Sequence, residues 1–399
     1  MVIRKNYLDK LISFKDSSFI KIITGLRRSG KSTLMLMFKD YLLKNDILEE
    51  NIIYMNFESA IFDEIDDYKK LYSFIKSKIK DKKVYILLDE VQMVSKWEKC
   101  VNSLLVDFNC DIYLTGSNAY LLSSELATLL AGRYIQIKMY PLSFKEYLDF
   151  KEFKSNVSME DKFYEYLKWG GMPSIPTISD NESLVRTYLT DVTDAVIKKD
   201  IIARNNIKDV ALLENITKFV ASSIGSSISP FSIANYLSNN ATNPSNVTID
   251  NYLTMLENAF IIYKAERYDI KGKQLLKTLG KYYIVDSGIR NSLIGFSNID
   301  EGHLLQNIVY LELLRRGYDV NIGKNDENEI DFIATKIDKK IYYQVCRNIE
   351  SEDTLNRELK SLSNINDNYE KIVITADRKL SSDVNGIKFV NIIDFLLEK

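Results

Sequence analysis

Hydrophobic and polar positions along the first 140 residues alternate between short apolar runs and amphipathic stretches. Residues 20–24 (IKIIT), 83–88 (KVYILL) and 110–114 (CDIYL) are compact and largely apolar, and each is bounded by polar residues or glycine. Runs of this length, apolar on both alternating sets of positions, predict central strands of a parallel sheet covered on both faces. Residues 135–137 (IQI) alternate and predict a further strand, while the TLMLMFKDYLL stretch after the first run carries the spacing of a helix. Between residues 208 and 258 three helical patterns follow one another, the last with Ile249, Tyr252, Leu253, Leu256 and Phe260 along one face. Two strand-like stretches come next, at 260–268 and 281–285. From about residue 300 the order is helix, then strands at 318–322, 329–334 and 340–345, then the helix TLNRELKSLSNI and a strand at 371–375. The polar stretch SNNATNPSN reads as a solvated linker.

The 399 residues suffice for two or three domains, and a 46% hydrophobic, 27% charged composition excludes a disordered or collagen-like chain. Lys plus Arg number 53 against 55 Asp plus Glu, so no global basic field announces nucleic acid, which leaves only a local basic face for such a role. Three cysteines without a CxxC pair suit reduced thiols, and a single histidine, His303, leaves zinc sites and histidine triads poorly supplied. The MVIRKNYLDKLISF start has charges inside its apolar stretches and no cleavage site, and no charge-free run reaches about 18 residues. No signal peptide or membrane span is expected, and the expected location is cytoplasmic.

Chemistry enters directly after the first strand. Gly25-Leu26-Arg27-Arg28-Ser29-Gly30-Lys31-Ser32, followed by Thr33, is G-x-x-x-x-G-K-[ST] in strand–loop–helix context. Glycines let such a backbone curl so that its N–H groups face phosphates, and the helix N-terminus adds a favourable dipole. Lys31 is placed to reach the β- and γ-phosphates of ATP, and the Ser32 hydroxyl to ligate Mg²⁺. A second element, the 83–90 strand, ends in Asp89-Glu90. Asp89 is expected to hold Mg²⁺ through water and Glu90 to orient and deprotonate the attacking water. The third strand ends in Thr115-Gly116-Ser117-Asn118, where a polar side chain either senses the γ-phosphate or caps the next helix. Arg133, in Leu130-Ala131-Gly132-Arg133-Tyr134, is either an arginine finger, in cis or across a subunit interface, or an ordinary surface arginine. Glu58 in NFES is the next carboxylate in line for the base role.

Residues 1–200 resemble the AAA+ branch of P-loop ATPases in bacteria and archaea. The matching pieces are GLRRSGKST, YILLDEVQ, LTGSNAYLL, LAGRY, YPLSFKEYL and the GGxP element in Trp169-Gly170-Gly171-Met172-Pro173. The resemblance implies ATP binding and hydrolysis, a small helical lid containing GGxP, sensor roles for Ser117 and Asn118, and a finger role for Arg133. It supplies no substrate.

The expected fold is thus α/β: a P-loop, AAA+-like parallel sheet over 1–145, a helical lid over 146–204, a winged-helix-like domain over 205–290 and an α/β domain over 291–399. In the third part, Lys271, Lys273, Lys277 and Lys281 would form a basic wing able to touch duplex DNA. In the fourth, Glu329-Ile330-Asp331-Phe332 followed by Tyr343-Gln344-Val345-Cys346 resembles the PD-(D/E)xK nuclease fold. Asp331 is in place and Glu312 is positioned to supplement it, but Gln344 and Cys346 stand where that pattern has a carboxylate and a lysine, so cleavage is not expected. The favoured reading is an Mg²⁺-dependent ATPase whose nucleotide state switches C-terminal modules toward a protein partner or a copy of itself. The alternative is a DNA-binding ATPase.

Overall fold

The computed structural model describes residues 2–398 apart from 81, 118–129, 131, 239–243, 297–299, 327, 350–351 and 378–382. Contacts divide the chain into two units, Met1–Tyr140 with Asn258–Phe260, and Pro141–Glu257 with Ile261–Lys399.

In the first unit the chain runs α1 (Lys5–Ser13), β1 (Ile20–Gly25), α2 (Lys31–Lys44), β2 (Ile52–Asn56), α3 (Tyr68–Lys78), β3 (Val84–Asp89), α4 (Trp97–Asp107), β4 (Cys110–Gly116) and β5 (Tyr134–Met139). The five strands form one parallel sheet in the order β2-β3-β4-β1-β5. β1 and β3 are buried along their whole length, as their continuous apolar runs require. One face packs Ile20, Ile22, Ile86 and Leu88 against Leu71, Ile75, Val101 and Leu104 of α3 and α4; the other packs Ile23, Leu87 and Tyr113 against Leu34, Phe38 and Leu11 of α1 and α2. β2 (IIYMN) is a strand that the sequence reading passed over, being short and half-alternating.

Lys21, the second residue of β1, is fully buried and pairs with the equally buried Asp111 on β4. Burial lowers the Lys21 amine from its ordinary value, and Asp111 opposes that loss of charge. Asp111 also accepts from Tyr113 Oη at 2.9 Å and from the Asp16 N–H at 2.8 Å, so the buried carboxylate is well supplied with donors. The three cysteines are free, and burial pushes the Cys100 thiol up to about 12, which leaves it inert at neutral pH.

The second unit opens with helices Phe144–Phe150, Met159–Trp169 and Glu182–Ala195, the last running on through Val196–Ala203. Three more, Val210–Ser222, Pro230–Ser238 and Asn246–Asn258, match the three helical patterns of the middle region. The strands β6 (Ile262–Asp269), β7 (Gln274–Ile284), β8 (Asp319–Asn325), β9 (Asn328–Lys336), β10 (Lys339–Cys346), β11 (Glu370–Thr375), β12 (Asp383–Val384) and β13 (Ile387–Asn391) make one sheet, ordered β12-β13-β11-β10-β9-β8-β6-β7. The ribbon expected as a wing is therefore continuous with the C-terminal strands through the parallel β6–β8 pairing. β7 is also longer than its sequence pattern indicates. Asp269 Oδ1 accepts from the N–H groups of Lys271 (3.1 Å) and Gly272 (3.0 Å), closing a tight turn that lets Gln274, Leu275 and Leu276 pair back onto β6.

Gly170-Gly171 follows the helix Met159–Trp169 and meets Asp286, the residue that caps the helix Ser287–Ile294. The Gly171 N–H donates to Asp286 Oδ2 at 2.6 Å and the Ile289 N–H to Oδ1 at 3.1 Å. No helix among the described residues is long and apolar enough to cross a membrane.

Candidate functional site

The turn from β1 to α2 is built on two glycines. Gly25 has φ 148°, and a Cβ there would stand 2.1 Å from the carbonyl oxygen of Met139 on β5. Gly30, at φ 98°, lets the chain enter α2 with Lys31 as its first residue. Between them Arg28 also adopts positive φ (63°), so three of the eight loop positions bend against the usual handedness. Arg27 forks onto Glu58 Oε1, both contacts at 3.0 Å, which commits Glu58 to an ion pair. Ser29 is buried, and its carbonyl accepts from Arg4 Nη1 at 3.1 Å. Arg4 Nη1 also donates to the Tyr140 carbonyl at 2.8 Å, tying the loop to the residue after β5. Nothing in the sequence pattern announced Arg4.

Lys31 is buried, and its amine donates to the carbonyls of Gly25 and Leu26, both at 3.1 Å. Its Nζ lies 3.8 Å from Glu90 Oε1. Ser32 and Thr33 follow it, half-buried, in the first turn of α2.

Asp89 ends β3 and Glu90 leaves it, at φ 55° and ψ 46°. Parallel pairing aligns Leu88 with Leu114, which brings Asp89 and Glu90 beside Thr115 of β4. The Thr115 hydroxyl donates to Asp89 Oδ1 and accepts from the Glu90 N–H at 2.9 Å. Tyr54 Oη of β2 donates to Asp89 Oδ2 at 3.3 Å; burial first, then the Asp89 charge, pushes that phenol up to about 12 and keeps it a donor. Gln92 Nε2 donates to Glu90 Oε2. The loop, the lysine and both carboxylates thus stand together at the carboxyl edge of the sheet, where open parallel sheets hold ligands.

Tyr54 and Gln92 were missed by sequence reasoning, and Thr115 was read only as part of the polar end of the third strand, with no bond to either carboxylate residue. A polar residue ending a central apolar strand was a signal for Thr115; the other two depend on strand register and on the turn after Glu90. Ser117 is buried just beyond β4, and Asn118 lies outside the described residues. Arg133 is exposed and immediately precedes β5. Because Tyr134 pairs with Ile20 and Met139 with Gly25, it stands at the opposite edge of the sheet from the loop. Six residues of strand separate the two, about 20 Å.

In the C-terminal sheet, Asp331 accepts from the Val345 N–H at 2.8 Å and from Gln306 Nε2 at 3.0 Å, and Gln344 Oε1 accepts from the Asp331 N–H at 3.2 Å. The helix residue beside Asp331 is therefore Gln306. Glu312, expected there, instead meets Arg315 at 3.4 Å and Arg316 at 3.0 Å, its i+3 and i+4 neighbours. Lys281, expected on an exposed wing, is buried, with its amine 2.6 Å from Glu329 and 4.0 Å from Asp331. Lys271 pairs with Asp326, and the Lys277 side chain lies outside the described residues.

A family model described as an AAA domain matches residues 17–148, and a domain of unknown function (DUF8612) matches residues 160–300. An uncharacterized protein of Haemophilus influenzae is 46% identical over 100% of this chain and 99% of its own length. The uncharacterized protein MJ1544 of Methanocaldococcus jannaschii is 31% identical over 100% of this chain and 87% of its own. Among solved structures, the Walker-type ATPase PABY2304 of Pyrococcus abyssi superposes with a TM-score of 0.53 at 15% identity, covering 73% of this chain and 96% of that one.

Proposed function

The chain belongs to one family with its uncharacterized Haemophilus and Methanocaldococcus relatives and carries an AAA domain over residues 17–148, and on that premise we propose that it binds and hydrolyses ATP with Mg²⁺. The observation that carries this reading is the meeting of Lys31 and Glu90, 3.8 Å apart, at the mouth of a glycine-built loop. In the nucleotide cycle, Lys31 exchanges its carbonyl partners for the β- and γ-phosphates, and the loop N–H groups from Leu26 to Ser32 cradle them. The hard oxygens of Ser32 and Asp89 fit Mg²⁺, and Asp89 is already oriented by Thr115 and Tyr54. When bound, the ion neutralises charge on the phosphates. Glu90 takes a proton from the attacking water.

The nucleotide state is proposed to switch the modules after Tyr140 toward a protein partner or another copy of the chain. Ion pairing of Lys271 and burial of Lys281 remove two of the four charges that a DNA-contacting wing would use, and so favour this reading over the DNA-binding one. Arg133, too far from its own loop, acts on the loop of a neighbouring copy.

Steady-state phosphate release tests the proposal. Wild type should turn over ATP, Lys31→Ala should neither bind nor hydrolyse it, and Glu90→Gln should bind it while hydrolysing it about 100-fold more slowly. Equal rates in all three chains would remove the assignment. Duplex DNA at low salt should leave the rate unchanged; clear stimulation would restore the DNA-binding reading.

A further inference from the structure

We propose that Gln92 is a positioning residue for hydrolysis: its amide nitrogen holds the Glu90 carboxylate, and its amide oxygen holds the attacking water. This rests on the ATPase reading and adds to it a residue that neither the loop motif nor the Asp-Glu pair contains.

Three observations converge on it. Glu90 has left-handed backbone, a conformation that costs a non-glycine residue about 1–3 kcal/mol and that clusters where function requires it. That bend starts the short turn Val91–Met93, and the turn brings the Gln92 side chain back beside the residue two positions earlier. Gln92 Nε2 then donates to Glu90 Oε2, while Lys31 stands 3.8 Å from the other carboxylate oxygen. The carboxylate is held between an amide and an ammonium.

The third observation is the other half of the amide. Gln92 Oε1 is buried and has no hydrogen-bond partner among the described residues. Buried acceptors are rarely left unpaired, and a residue serving only to fill space would not need a carbonyl there. An acceptor beside a general base suits a water molecule that must present one hydrogen to each. In the step, the water oxygen forms its bond to the γ-phosphorus as the bond to the ADP oxygen breaks. One water hydrogen passes to Glu90; the other remains on the product phosphate, having been held by Gln92 Oε1. Departure of Lys31 to the phosphates would leave Gln92 as the group that fixes the carboxylate.

The test compares Gln92→Ala and the isosteric Gln92→Glu with wild type, by phosphate release and by binding of a fluorescent ATP analogue. Gln92→Ala should lower kcat about 10- to 100-fold while KM and analogue affinity stay within about 2-fold. Gln92→Glu keeps the size but replaces the amide donor with a second carboxylate facing Glu90, so it should lower kcat at least as far as Gln92→Ala, again without a matching loss of analogue affinity. In a Glu90→Gln background, Gln92→Ala should cost less than about 2-fold, because the two residues act as one unit. Unchanged kcat in Gln92→Ala, a loss confined to KM, or a full multiplicative loss in the Glu90→Gln background would each overturn the role. Wild-type turnover reports on the ATPase reading and the ratio of variant to wild type on this one, so the two fail separately.

Discussion

At the scale of single residues, the site depends on a hydroxyl that serves two carboxylate residues at once. Thr115 donates to Asp89 and accepts from the Glu90 N–H, so it fixes both the carboxylate proposed for the metal and the backbone of the proposed base. Thr115→Val keeps the shape and removes both bonds, leaving the buried Glu90 N–H without its acceptor at a cost of about 1–3 kcal/mol. We expect phosphate release at saturating ATP to fall at least about 10-fold, with a lowered melting temperature by circular dichroism. A wild-type rate in that variant would show that neither carboxylate needs the hydroxyl. Lys31, Asp89 and Glu90 were legible in the sequence because their spacing is local and sits on an apolar strand. The contacts of Thr115, Tyr54 and Arg4 were not, since each reaches the site through strand register or across more than 20 residues.

At the scale of elements, the loop works only if β1 and β5 approach closely, and Gly25 permits that approach. Alanine there would meet the Met139 carbonyl at 2.1 Å and carry unfavourable φ as well. Gly25→Ala should therefore destabilise the chain by about 3 kcal/mol or more, read as a shifted urea midpoint; an unshifted midpoint would mean that the two strands move apart freely. A second junction, Gly171 on Asp286, carries a pH dependence. Burial raises the Asp286 carboxyl to about 6, against N–H donors led by Gly171 that favour the charged form. The folded chain keeps that proton up to about pH 6, whereas the unfolded chain loses it near pH 4, so the contribution is full below about 4 and lost above about 6. The unfolding free energy of wild type minus that of Asp286→Asn should fall by about 3 kcal/mol between those limits, and a difference independent of pH would refute the shift. Element order was largely legible from periodicity. Periodicity did not reveal β2, too short to stand out, nor the helices α3, α4 and Ser287–Ile294, the strands β12 and β13, or the full length of β7, which an Asp269-centred turn folds back from what reads as a loop.

At the scale of the whole molecule, parallel topology bears on the role proposed for Arg133. β5 runs alongside β1 in the same direction, so the residue before β5 and the loop after β1 lie at opposite ends of the sheet. An extended arginine spans about 7 Å, against about 20 Å along the strands, which favours the proposed role between copies over one in cis. In the proposed role, that arginine reaches the loop of a second copy stacked head to tail, a heterologous contact that gives a ring where the rotation closes and a filament where it does not. Mixing separates this from a surface role. Arg133→Ala keeps its own Lys31, and Lys31→Ala keeps its own Arg133, so each alone should be nearly inactive. In a random equimolar mixture, half the sites have an intact loop and half of those face an intact arginine. Turnover should then recover to about one quarter of the wild-type rate. Recovery would make the arginine a group supplied between copies and the working unit an assembly. A mixture as inactive as its parts would exclude supply between copies, and an Arg133→Ala chain as active as wild type would return Arg133 to the surface and leave each copy to hydrolyse ATP with its own residues.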